Sequence, residues 1–175
     1  MLFFVLKKID KTNFYNYLFE QISFMIIRHS KIGIQKKDIM KTNNIKIKKG
    51  SAAIGDVVYN WNGKKLIVGN ASYGDVAFNF DGTSIREGNS KFNKVLYNWD
   101  GVNLREGNWK AGNILYNWND GKLIKGSYKT GDVVCNWTDG KMRLGNHKEG
   151  NIIYNWDGDV PIPILIIILI KAGVI

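Results

Sequence analysis

The chain is poor in the residues that staple, ligate or span. One cysteine, Cys135, stands among 175 residues, which excludes an intramolecular disulfide framework. The two histidines, His29 and His147, are far apart, and no Cys/His cluster has zinc-ligand spacing. Neither histidine has a carboxylate or nucleophile recurring beside it, and no glycine-rich phosphate loop or calcium loop is present, so neither an enzyme nor a bound metal or cofactor is expected. Spanning a bilayer takes about 20 apolar residues. The apolar stretch 160–170 contains Pro161 and Pro163 and is followed by Lys171, which argues against a membrane span.

What is abundant is glycine and bulky apolar residues. Nineteen glycines against two prolines, with 13% aromatic and 45% hydrophobic residues, favour short strands joined by glycine turns and one compact all-β domain. The net charge of +10 is unevenly spread. Residues 1–50 hold eleven basic and three acidic residues, a surplus of eight, whereas residues 51–175 hold fourteen and twelve. The basic surplus reads as a solvated leader, and nucleic-acid binding by the remainder is not expected.

Self-alignment of the chain gives an offset of 19 residues. Asn60, Asn79, Asn98, Asn117, Asn136 and Asn155 recur at that spacing, each followed by an aromatic: Trp61, Phe80, Trp99, Trp118, Trp137 and Trp156. Tyr59, Phe78, Tyr97, Tyr116, Cys135 and Tyr154 precede them, and two apolar columns beginning at Val57 and Val58 complete a strand. Alternation places Val57, Tyr59 and Trp61 on one face and Val58 and Asn60 on the other. Asn62-Gly63 and the Asp-Gly pairs starting at Asp81, Asp100, Asp120, Asp139 and Asp157 mark hairpin turns, which assigns those carboxylates a structural role. A second short strand carries Leu66, Ile85, Leu104, Leu123 and Met142 and stops at a glycine.

The ends of the array are complementary halves. Residues 44–50 match a second strand without a first, and residues 150–158 match a first strand whose continuation is broken by Pro161 and Pro163. Pairing of residues 152–156 with residues 45–49 would complete a sixth hairpin and close the array, removing exposed edges. The expected architecture is a closed ring, β-flower or propeller-like, of about six 19-residue hairpins spanning residues 40–159, with the apolar tail 160–175 packed at its centre. A monomer is favoured, with association through the tail the alternative.

The Tyr-Asn-Trp column suits either of two purposes. Aromatics in every copy are what a ring of hairpins needs for its core, with the asparagines satisfying backbone groups between neighbouring hairpins. Aromatic faces beside amides also suit sugar rings or quaternary ammonium groups, for which the candidate residues are Trp61, Trp99, Trp109, Trp118, Tyr128 and Trp137.

The unit Tyr-Asn-Trp-Asp-Gly with its Gly-Asn ending, closed by a Pro-Ile-Pro-Ile tail, resembles the bacterial β-flower proteins over residues 40–175. The resemblance implies a closed radial set of hairpins and brings no catalytic residues. Residues 116–131, with Trp118, Asp120-Gly121, Leu123, Gly126 and Tyr128, resemble choline-binding cell-wall repeats, but only Trp109, Tyr128 and His147 follow that pattern after the second-strand glycine. Two function classes follow: a non-catalytic structural or protein-interaction module, and a carbohydrate or cell-wall-ligand binding module.

Residues 1–39 stand outside the repeat; Phe14, Leu18, Ile22, Met25 and Ile26 have helical spacing. Lys7, Lys8 and Asp10 interrupt the first apolar run, so a signal peptide is not expected and the compartment defaults to the cytoplasm. Met40 lies just before the first half-repeat, so two readings of residues 1–39 stand: a helical leader, or an upstream misreading with translation beginning at Met40. Mass spectrometry of the natural protein separates them: under the second, no tryptic peptide should come from residues 12–28, and recovering one refutes it.

Overall fold

The computed structural model describes residues 44–175; the helical spacing around Phe14 and the start at Met40 lie outside the described residues. Twelve strands follow one another: β1 (Ile45–Lys49), β2 (Val57–Trp61), β3 (Lys65–Val68), β4 (Val76–Phe80), β5 (Ser84–Glu87), β6 (Val95–Trp99), β7 (Asn103–Glu106), β8 (Ile114–Asn119), β9 (Lys122–Lys125), β10 (Val133–Thr138), β11 (Lys141–Leu144) and β12 (Ile152–Asn155). Each pairs antiparallel with its neighbours in sequence, and β1 pairs with β12, so the sheet is a closed barrel. Tight turns lie at one end and seven-residue linkers at the other.

Closure uses the same register as the ordinary hairpins. Tyr154 faces Lys49 and Asn155 faces Lys48 across the seam, as Tyr59 faces Val68 and Asn60 faces Ile67 within the first whole hairpin. The seam also repeats the bond that ends each hairpin: Gly50 N donates to Ile153 O at 2.8 Å, as Gly69 N does to Val58 O at 2.9 Å and Gly126 N to Leu115 O at 2.8 Å.

Between hairpins every pairing is interrupted by a bulge. In the first, Ile47 faces Tyr59 and Lys48 faces Val57, leaving Val58 as the extra residue. This corrects the strict alternation expected of the strand. Val58, Ala77, Leu96, Val134 and Ile153 belong with the core cluster, whereas Val57 and its equivalents do not. The bulge turns the second apolar column inward, ahead of Tyr59 and Trp61.

The turns are of two kinds, which a uniform Asp-Gly reading misses. Asp120-Gly121 and Asp139-Gly140 are two-residue loops in which both residues have positive φ, 47° and 76° in the first and 49° and 67° in the second, the pattern of a type I′ turn. In the three-residue loops opened by Asn62, Asp81 and Asp100, that side chain accepts hydrogen bonds from the amides two and three residues on, at 2.7 to 3.1 Å. Gly140 is further constrained, because a Cβ there would collide with the Trp156 carbonyl.

The tail fills the barrel as a helix, α1 (Ile162–Lys171). Residues 164–169, all Ile or Leu, are at most 1% exposed, and they share one cluster with the inward belt Ile47, Leu66, Ile85, Leu104, Leu123 and Met142, each 0% exposed. A helix buried around its whole circumference needs no polar face. Pro163 sits in the first turn, where its missing N–H is no loss. At the other end Gly173, at φ 65°, closes the helix: Val174 N donates to Leu169 O and Gly173 N to Ile170 O, both at 3.0 Å. Among the described residues no helix is long and apolar enough to cross a membrane.

All the asparagines of the column except Asn98 bond a linker carbonyl. Asn117 Nδ2 donates to Gly126 O at 2.8 Å and Tyr128 O at 3.3 Å, and Asn136 repeats this with Gly145 and His147. The partners lie in the linker that follows the same hairpin and leads to the next. Asn155 makes the same pair of bonds to Gly50 and Ala52, more than 100 positions earlier in the chain. Asn155→Ala and Asn136→Ala should therefore each cost a similar amount, about 1 to 3 kcal/mol, in urea unfolding. A loss at Asn136 with none at Asn155 would deny the closure.

Candidate functional site

The six candidate aromatics separate into two groups. Trp61, Trp99 and Trp137 are 2, 8 and 9% exposed, and Trp118 is partly buried with its ring stacked on Trp137 at 3.9 Å between centroids. These four line the turn end of the interior as core. Trp109 and Tyr128 stand on linkers and are 77 and 78% exposed.

The linkers hold more of the same kind. Ile54, Tyr73 and Phe92 are at least 82% exposed, so five consecutive linkers each present one large apolar side chain and the sixth carries His147. Of nine large apolar side chains exposed among the described residues, only Val102 is on a hairpin turn. Burial of apolar surface is the rule for large aromatics, so their exposure at one rim is informative. Sequence comparison of the copies missed Tyr73 and Phe92 because they fall two positions later in their linkers than Trp109 and Tyr128 do. Counting aromatics per linker, instead of per aligned column, would have found them.

A cleft of about 560 Å³ lies between linkers 88–94 and 107–113, lined by Arg86, Lys91, Phe92, Asn93, Lys94, Val95, Gly107, Asn108 and Trp109. Both walls are tied down. Asn93 Nδ2 donates to Glu87 O at 2.7 Å, Phe92 N to Ser90 Oγ at 3.2 Å, and Asn79 Nδ2 to Gly88 O at 2.7 Å. On the other side Arg105 donates to Gly112 O at 3.1 Å and Gly112 N to Trp109 O at 3.0 Å. The lining holds three cationic residues and no carboxylate, and Lys91 Nζ lies 5.0 Å from the Phe92 ring centre.

Arg86 is fixed from behind by Asp81 at 2.7 Å, and Arg105 by Asp100 at 3.1 Å. Burial pushes the Asp81 carboxyl up, but bonds from Ser84 N, Arg86 and Thr83 outweigh it and hold the pKa at about 2. Asp100 is held at about 2 in the same way, with burial opposed by Asn103, Val102 N and Arg105. Inside the barrel, burial pushes the Cys135 thiol up to about 12, with Sγ donating to Arg143 O at 2.9 Å. Burial likewise raises Tyr59, Tyr97, Tyr116 and Tyr154.

Both aspartates ionise more readily folded than in the unfolded chain, where the pKa is about 3.9. Their stabilisation is complete above about pH 4 and is lost as pH falls toward 2. Because both carboxylates are partly exposed, each ion pair contributes no more than about 1 kcal/mol. The Asp81→Asn, Asp100→Asn double variant keeps the turn acceptors, and its stability should decline less steeply between about pH 4 and 2. Parallel pH profiles of the two proteins, measured by urea unfolding, would contradict this.

A family model described as a 6-fold beta flower protein matches residues 25–107 and 47–165. No curated protein and no solved structure matches the chain significantly. The two matched stretches cover most of the chain and the observed barrel has that model's six-fold count, one unit of it assembled from the two ends, so the chain belongs to the six-fold β-flower family.

Proposed function

We propose that this β-flower protein is a non-catalytic interaction module, in which a plugged barrel holds a rim of linkers in fixed positions for a partner protein. The observation that carries the reading is the single exposed apolar side chain on each of five consecutive linkers. A row of such side chains along one rim is an aggregation liability unless it meets something. A rigid scaffold that orders its loops in advance reduces the entropy cost of binding. The thiol of Cys135, buried and held protonated, supplies no nucleophile.

A second reading is a carbohydrate-binding module. It is favoured by the exposure of Trp109 and Tyr128, the two candidates free to meet a sugar ring. Both readings place the contact on the linkers and not on the strand tryptophans.

Replacing Tyr73, Phe92, Trp109 and Tyr128 together with serine should leave the unfolding free energy within about 0.5 kcal/mol per site and abolish binding. Trp99→Ala should cost about 3 to 5 kcal/mol. The purified protein and both variants would be screened against protein and cell-wall polysaccharide arrays that include choline, with folding followed by circular dichroism. A linker variant that binds as the parent does would overturn the proposal.

A further inference from the structure

We infer that the cleft between linkers 88–94 and 107–113 binds a negatively charged sugar unit of an acidic polysaccharide. The inference rests on the carbohydrate reading above and adds the sign of the ligand's charge. Phe92 and Trp109 stand on separate, hydrogen-bonded linkers at 86 and 77% exposure; Lys91 Nζ lies over one face of the Phe92 ring, so Trp109 is the stacking surface and Phe92 holds the lysine at the cleft. The C–H face of a sugar packs on such a ring, and amides such as that of Asn108 bond its hydroxyls.

The charge follows from what lines the cleft. Arg86 is committed to Asp81, whereas Lys91 and Lys94 are in no ion pair among the described residues, and no carboxylate lines the space to repel an anion. A carboxylate on the ligand would meet two ammonium groups. The neighbouring linkers repeat the combination, with Lys110 beside Trp109 and Lys129 beside Tyr128. An aromatic and a lysine recurring on three consecutive linkers, 88–94, 107–113 and 126–132, match a short stretch of a polymer whose rings and charges also recur, whereas linkers 50–56 and 69–75 carry no lysine. A nucleic-acid strand has both features too, and it is the competing occupant that the titration separates from the saccharide.

The test uses the full chain and isothermal titration with three probes at low ionic strength: oligogalacturonate, neutral oligogalactan and a single-stranded oligonucleotide. Oligogalacturonate should bind at least about tenfold more tightly than the other two. Lys91→Gln with Lys94→Gln should abolish that preference, and Trp109→Ala should weaken both saccharides, with the thermal midpoint of each variant unchanged. Equal binding of the charged and neutral saccharides would overturn the inference and leave the carbohydrate reading standing. Binding of neither would overturn both. Tighter binding of the oligonucleotide, or oligogalacturonate binding that survives Trp109→Ala, would overturn the assignment of this cleft.

Discussion

Twelve strands make a barrel too wide for its own side chains to fill. Eight strands enclose a space that inward residues can close, whereas sixteen or more leave a channel. Here the inward belt of Ile47, Leu66, Ile85, Leu104, Leu123 and Met142 leaves a lumen that needs a further element about 10 to 12 Å across. Helix α1 is that element. Ten isolated residues, mostly β-branched isoleucine, would not hold a helix in water. Inside the barrel the same side chains meet apolar surface in every direction, so helix and barrel each supply the condition under which the other is stable.

That mutual dependence explains how the units are joined. A single hairpin has one apolar face and nothing to bury it on, and an open row of hairpins would leave two strand edges. The seam between β1 and β12 abolishes both edges with bonds of the ordinary kind: the paired register, the Gly50 amide and the Asn155 side chain. The bulges at Val58 and its equivalents bend the sheet at each junction and return one more apolar residue to the core. The linkers are thereby freed from packing duties, and their aromatics stand exposed.

Much of this was legible in the chain because repetition makes weak local signals add. The Asn-aromatic pair in every copy located the strands, and the complementary halves at residues 44–50 and 150–158 indicated closure. Three features were hidden for physical reasons. A bulge leaves no mark on an apolar pair such as Val57-Val58, since both residues fit either face. The helical state of residues 162–171 has no amphipathic period, because a fully surrounded helix needs none. Phe92 and Tyr73 escaped because a linker can present its side chain from more than one position, so the column that carries the exposed aromatic is not the aligned one. Trp61, Trp99, Trp118 and Trp137 have the same sequence context whether they serve a core or a ligand, and only their burial separates the uses.

The account depends most on the plug, and one comparison tests it: urea unfolding of a chain ending at Asp159 beside the full chain, followed by tryptophan fluorescence and far-ultraviolet circular dichroism. Without the helix the inward belt faces an empty lumen, and the account predicts loss of the single cooperative transition and exposure of the stacked pair Trp118 and Trp137. An unchanged midpoint and slope in the shortened chain would contradict it.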